Sequence, residues 1–230
     1  MKNIVIIGGS QGIGLEIATL LSKNNNVIVA SRRNENVLHL GVKHIVFDAS
    51  TDALDLNELP ETIDGFVYCP GSINLKPFKN LKLEHFQEDL NINFMYMVKI
   101  FQAILPKLQQ STQASVVLFS SIAATTGMHF HSSIAAAKSA VEGFGKAIAA
   151  EFAPKIRVNI IAPSITYTSL SEKFLNSEAK LERSAERHPM KKIGEAKDIA
   201  SMAEFLLNER SAWITGQVFH IDGGLSTLNI

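Results

Sequence analysis

Residues 8–14 read GGSQGIG. They sit between the apolar run Ile4–Ile7 and LEIATLLSK, whose apolar residues recur at helical spacing, and the apolar run VIVA follows at 27–30. Strand, glycine turn, helix and strand in that order form a βαβ unit. Glycine is required where a turn takes positive φ or where backbone must approach a ligand closely. A helix beginning near Gly12 aims free N–H groups and the positive end of its dipole at the turn, which suits a pyrophosphate. Alone, such a loop can be an ordinary tight turn. Placed directly after the first strand, it points to a dinucleotide, with Gly8, Ser10, Gln11, Gly12, Ile13 and Gly14 as its contacts.

The alternation continues along the chain. HIVF (44–47), GFVYC (65–69), SVVLFS (115–120), IRVNIIAP (156–163) and QVFHI (217–221) read as strands, and 85–108, 132–152 and 197–208 read as helices. Strands that are continuously apolar are covered on both faces, so the expected fold is α/β: one doubly wound, seven-stranded parallel sheet flanked by helices. The expectation is a single domain over 1–230. The polar segment at about 164–194 falls outside the alternation and is expected to form a helical flap over the carboxyl edge of the sheet, where ligands of such folds bind.

Composition narrows the partners. Twenty-two Lys and Arg balance twenty-two Asp and Glu, with no long basic block, which argues against nucleic acid. No apolar run has the length of a membrane span. The only cysteine, Cys69, cannot form an internal disulfide. The expectation is a cytoplasmic protein acting on a small molecule, with no metal: His129 and His131 have no further ligands clustered nearby.

The second strand ends VIVASRR. Ser31 stands where an acidic residue would bind a ribose 2′-hydroxyl, and Arg32 and Arg33 follow. A carboxylate would repel a 2′-phosphate, whereas a guanidinium binds it with two hydrogen bonds. NADP(H) is therefore expected over NAD(H), although two adjacent arginines can also be a solvated pair. Asp48, followed by Ala49, fits either beside the adenine or as a helix cap.

In order and spacing, GGSQGIG, CPGSI (69–73), the Asn93 region, SSIA (120–123), IAAAK, RVNIIAP and WITGQVFHIDGG resemble the short-chain dehydrogenase/reductase family over essentially residues 3–224. The resemblance implies one Rossmann-type domain, a nicotinamide cofactor, hydride transfer at a carbonyl or alcohol carbon, and a homotetramer or dimer built on the two long helices. It adds Pro70, Gly71, Pro163, Ile165 and Thr168 to the cofactor contacts. It also implies a catalytic tyrosine four residues before a lysine that binds the ribose, a serine thirteen residues before that tyrosine for the substrate oxygen, and an asparagine holding a water. Lys138, Ser121 and Asn93 take the last three positions, with Asn91 as a rival to Asn93. The tyrosine position is Ile134, which has no proton to give. Cys69-Pro70 replaces the usual Asn-Ala, and Pro163-Ser164 the usual Pro-Gly.

His131 is the leading substitute. Positions 131, 134 and 138 lie along one face of the helix, since i, i+3 and i+7 recur on the same side, with His131 roughly 10 Å along the axis from Lys138. Related enoyl reductases place their tyrosine in that register, and histidine is the best general acid near neutral pH. A histidine packing at the helix start, with Ser132 or Ser133 as cap, fits equally. Tyr68, Tyr96 and Tyr167 are weaker candidates. The readings left open are an NADP(H)-dependent oxidoreductase with an altered acid, a cofactor-binding or regulatory protein without the chemistry, and an isomerisation or dehydration on the same scaffold.

Overall fold

The computed structural model describes residues 1–229. Seven strands form one parallel sheet: β1 (Asn3–Ile7), β2 (Asn26–Ser31), β3 (Lys43–Val46), β4 (Gly65–Tyr68), β5 (Ala114–Phe119), β6 (Ile156–Pro163) and β9 (Val218–Ile221). Their order is β3-β2-β1-β4-β5-β6-β9. Successive side chains of a strand face opposite ways, so β1 feeds two cores. Ile4 and Ile6 pack with α1 (Gly12–Leu21) and α6 (Ala196–Leu207), while Val5 and Ile7 pack with α3 (Tyr96–Gln110) and α4 (Ser132–Phe152). This double coverage is why the strands carry no polar–apolar alternation.

β1 pairs with β2 on one side and β4 on the other. The chain reverses its direction of build-out between β1 and β4, and in such folds ligands bind at that reversal, beyond the carboxyl ends of the strands. Gly8 follows β1 and Pro70 follows β4 at that point. The two loops touch: a Cβ on Gly8 would lie 3.0 Å from Pro70 Cδ.

Two departures from the sequence reading position the site. The helix expected at 85–108 is longer and interrupted. It runs as α2 (Leu83–Leu90), a π turn (Asn91–Met95) and α3. The extra residue in the π turn rotates the following helix, and such turns recur at functional sites. Second, segment 164–194 is not only helical. β7 (Thr166–Tyr167) and β8 (Gly194–Glu195) pair in a small parallel sheet, with α5 (Glu178–Glu186) between them.

Candidate active site

The glycine loop has the geometry that its sequence requires. Gly8 and Gly12 adopt φ of +77° and +53°. A Cβ on Gly14 would be driven into the Gly8 carbonyl, so no other residue fits there. Gln11 caps α1 with extended backbone and makes no side-chain cap bond, which leaves the first-turn N–H groups without a side-chain cap. Across the cleft, Thr168 Cβ would stand 3.3 Å from a Cβ on Gly12, and Ser169 Oγ donates to Gln11 Oε1 at 3.4 Å. Ser10, nearly buried, fixes the next loop through its carbonyl, which accepts from Asn36 Nδ2 at 3.2 Å. An uncapped helix N-terminus facing glycines in positive φ fits a pyrophosphate.

At the end of β2, Ser31 Oγ donates to the Arg33 carbonyl at 2.8 Å and also pairs with His44 Nε2. That shapes a turn from which the exposed Arg32 and Arg33 project. The Asp48 carboxylate accepts from both the backbone N–H and the hydroxyl of Ser50. These bonds, with a smaller contribution from Arg32, hold its carboxyl below the usual carboxylate range. Asp48 therefore serves as a local turn former, and Ala49 packs against the core behind it. Pro163 ends β6. Next, Ser164 Oγ pairs with His188 Nε2 at 2.8 Å, and His188 Nδ1 meets the Ser184 carbonyl at 2.7 Å. The serine in place of the family's glycine thus joins the end of β6 to α5. The Ile165 carbonyl accepts from Gly194 N–H and joins the same strand end to β8.

Lys138 is the best-defined catalytic candidate. It is 9% exposed, and among the described residues the only hydrogen bond of its Nζ is to the Phe119 carbonyl at the end of β5, at 2.9 Å. Burial lowers its pKa to about 8, with Asp89 and Cys69 opposing that fall. Ser121 lies two residues beyond Phe119. Its Oγ accepts from Ala123 N–H at 3.2 Å and has no acceptor for its own proton among the described residues, which leaves the proton for a ligand oxygen. Neighbouring Ser120 is spent internally, on Glu142 Oε1 at 2.7 Å. Asn93, not Asn91, turns inward: it is 2% exposed, while Asn91 Oδ1 is occupied by Gln87. Ile134, four residues before Lys138 on α4, is buried.

His131 is the N-cap of α4, at φ −101° and ψ 8°, and so precedes the first helical residue. The shared-face argument therefore reaches back only to Ser132. The His131 ring is nonetheless fixed: Nδ1 lies 2.6 Å from the His129 carbonyl, which makes Nδ1 the protonated nitrogen and leaves Nε2 for other partners. Neither Ser132 nor Ser133 caps the helix, because Ser133 Oγ is committed to Asp89. The reserve tyrosines are placed less well. Tyr68 O–H donates to the Ile92 carbonyl at 2.8 Å, and burial pushes its phenol well above the usual range. Tyr167 is exposed on β7.

One buried residue of this region had no place in the sequence reading. Asp89, at the end of α2, is fully buried. Its carboxylate accepts from Ser72 Oγ at 2.6 Å, Asn74 Nδ2 at 3.1 Å and Ser133 Oγ at 2.7 Å. Its carbonyl accepts from Asn93 Nδ2, which also donates to Ser72 Oγ. A signal was available. Asp89, Asn93, Met97, Phe101, Ile104 and Leu108 form one buried stripe, so a carboxylate on it had to be satisfied internally.

Comparison with known proteins agrees with this fold. The family model described as Enoyl-(Acyl carrier protein) reductase matches residues 8–226. A 3-oxoacyl-[acyl-carrier-protein] reductase FabG from Buchnera aphidicola subsp. Baizongia pistaciae is 30% identical over 240 residues, covering 97% of each chain. Among solved structures, levodione reductase superposes with a TM-score of 0.91 at 25% identity over 99% of this chain and 98% of its own. ElxO with NADP bound superposes with a TM-score of 0.87 at 28% identity, covering 99% of both chains. The chain belongs to the short-chain dehydrogenase/reductase family and is an oxidoreductase of that family. Among the described residues no helix is long and apolar enough to cross a membrane, and no cluster of three or more His, Cys, Asp or Glu is placed to hold a metal.

Proposed function

We propose that the protein is an NADP(H)-dependent reductase of a carbonyl or conjugated alkene in a small molecule, with a proton donor other than the family tyrosine. Lys138 carries the reading: a buried ammonium with one internal bond, at the carboxyl end of β5, keeps two donors for ligands. The glycine loop, Pro70, Gly71, Pro163, Ile165 and Thr168 hold the cofactor, and Arg32 and Arg33 hold its 2′-phosphate. When bound, the cofactor supplies the hydride. Ser121 Oγ–H donates to the substrate oxygen, and Asn93 orders the groups around the relay. His131 acts as the imidazolium: it gives the proton on Nε2 and keeps Nδ1–H on the His129 carbonyl. Segment 164–194 covers the substrate, and the protein works in the cytoplasm as a homotetramer or dimer. ElxO, solved with NADP, supports the cofactor choice.

Titration with NADPH and NADH, followed by a carbonyl panel, tests this. NADPH is expected to bind more tightly, and Arg32→Glu to reverse the preference. His131→Phe is expected to cut turnover by about 10²–10⁴-fold at unchanged NADPH affinity. Unchanged turnover removes His131 from the mechanism. Tight NADPH binding without turnover on any carbonyl favours a cofactor-binding protein, the reading that Ile134 supports. Binding of neither nucleotide overturns both.

A further inference from the structure

A carboxylate that is fully buried and lacks a cation in contact with it is costly, and it persists where several donors satisfy it. Asp89 meets three, from two different parts of the site, and its backbone carbonyl reaches a third. Ser72 and Asn74 belong to the loop after β4, next to the cofactor contacts Pro70 and Gly71. Ser133 is in the first turn of α4, between His131 and Ile134. The Asp89 carbonyl holds Asn93 in the π turn. The Gly71 backbone closes on the same point: a Cβ there would stand 3.3 Å from Asn93 Oδ1. The charge also lies at the N-terminus of α4, where the helix dipole favours an anion.

We propose that Asp89 is the positioning residue of this active site, fixing the loop after β4, the Asn93 turn and the start of α4 in one arrangement, and supplying the counter-charge for Lys138. With isoleucine in the tyrosine position, no phenol stands one turn before the lysine. Asp89 from α2 is the charge that most opposes the burial of Lys138, while burial pushes the Cys69 thiol at the end of β4 up to about 12 and keeps it neutral there. Glu142, on the next turn of α4, is bound by Ser120. Around Asp89 the remaining titratable groups pair elsewhere: His85 with Lys76, and Glu88 with Asn74. The proposal rests on reading Lys138 as the ammonium that serves cofactor and substrate, but its central claim is testable in the protein without either.

The test is the titration of Lys138 followed by NMR of carbon-13-labelled lysine in the ligand-free protein, the resonance being identified by its loss in Lys138→Arg. Asp89→Asn keeps the shape, and the Ser133 hydroxyl can turn to accept from the new amide. The expected result is a midpoint lower than wild type by on the order of one pH unit. In the active enzyme, kcat/KM falls by about 10–100-fold, and the alkaline limb of the pH profile moves to lower pH. Asp89→Glu should restore the limb at least in part. Should Asp89→Asn fold poorly, Asp89→Ser removes the same charge. An unmoved Lys138 midpoint in a folded variant overturns the proposal, whatever happens to turnover. A shifted midpoint in a protein that binds neither nucleotide sustains the coupling and sinks the reductase reading alone.

Discussion

Replacing Lys138 with methionine is expected to remove turnover and to make the ligand-free protein more stable. The two effects have one cause. The lysine pKa falls from 10.5 to about 8 through burial, so the folded state disfavours the charged form. Below pH 8 both folded and unfolded chains hold the proton, and the full cost is present. Between about 8 and 10.5 the folded chain releases its proton first, stability rises with pH, and the cost disappears. The shift corresponds to about 3 kcal/mol at neutral pH. Methionine is a near match in length and occupies the same buried space without a charge. It forfeits the bond to the Phe119 carbonyl, worth about 1 kcal/mol net. The balance is about 2 kcal/mol, or a melting temperature about 4–8 °C higher at pH 7 for a domain of this size. Melting both proteins from pH 6 to pH 10 checks the sign: the gap should close as pH rises through 8. A variant less stable at pH 7, or a gap that ignores pH, would show that the ammonium is not held against a desolvation cost. On the functional side, loss of the ammonium should weaken NADPH binding and lower turnover by at least about 10²-fold. Stability given up at a buried charge is the form that a functional residue takes when it breaks the ordinary rule of burial.

The parts of this molecule set by local chemistry were legible before the structure. GGSQGIG could be placed because positive φ at Gly8 and Gly12 and the tight approach at Gly14 are demands that only glycine meets. The strands were legible because double coverage makes them continuously apolar, and β6 begins and ends where IRVNIIAP does. What could not be read depended on contacts distant in sequence. The π turn at Asn91–Met95 adds one residue to a helical period that looks unbroken, and only packing against α4 shows where the extra residue goes. Asp89 looked like one more charge in HFQEDL, although it lies on the buried stripe. Its partners Ser72 and Ser133 are 17 and 44 residues away. His131 shows the converse limit. Its register before Lys138 was correct in sequence, but helical geometry begins one residue later, so its direction is set by the His129 carbonyl rather than by the helix. Lys138, Ser121 and Asn93 are thus candidates that register alone can nominate, whereas the buried carboxylate bonded to Ser72, Asn74 and Ser133 emerges only from packing.

Restoring the family residue, Ile134→Tyr, is expected to raise carbonyl reduction by about 10²–10⁴-fold, the usual worth of a positioned general acid. Ile134 and Lys138 are both inside α4, four residues apart on one face, so a phenol there projects beside the ammonium. The positive charge favours phenolate and lowers the phenol pKa. Ser121, whose hydroxyl proton has no acceptor among the described residues, lies just beyond the end of β5. The obstacle is volume. Ile134 is 3% exposed, and a larger ring in a filled site costs about 1–3 kcal/mol. Ile134→Phe carries the same ring without the hydroxyl and separates bulk from chemistry: it should lose stability and gain nothing in rate. Combining the substitution with His131→Phe then asks which group gives the proton. If His131 donates in the natural protein, its removal should be severe alone and nearly silent beside the new tyrosine, a strong departure from additivity between two groups serving one step. Equal losses in both backgrounds would make His131 a structural cap. No gain from tyrosine, in a protein that still binds NADPH and melts normally, would mean that the pocket is not arranged for a carbonyl beside Lys138, and the reductase reading would give way to a cofactor-binding role.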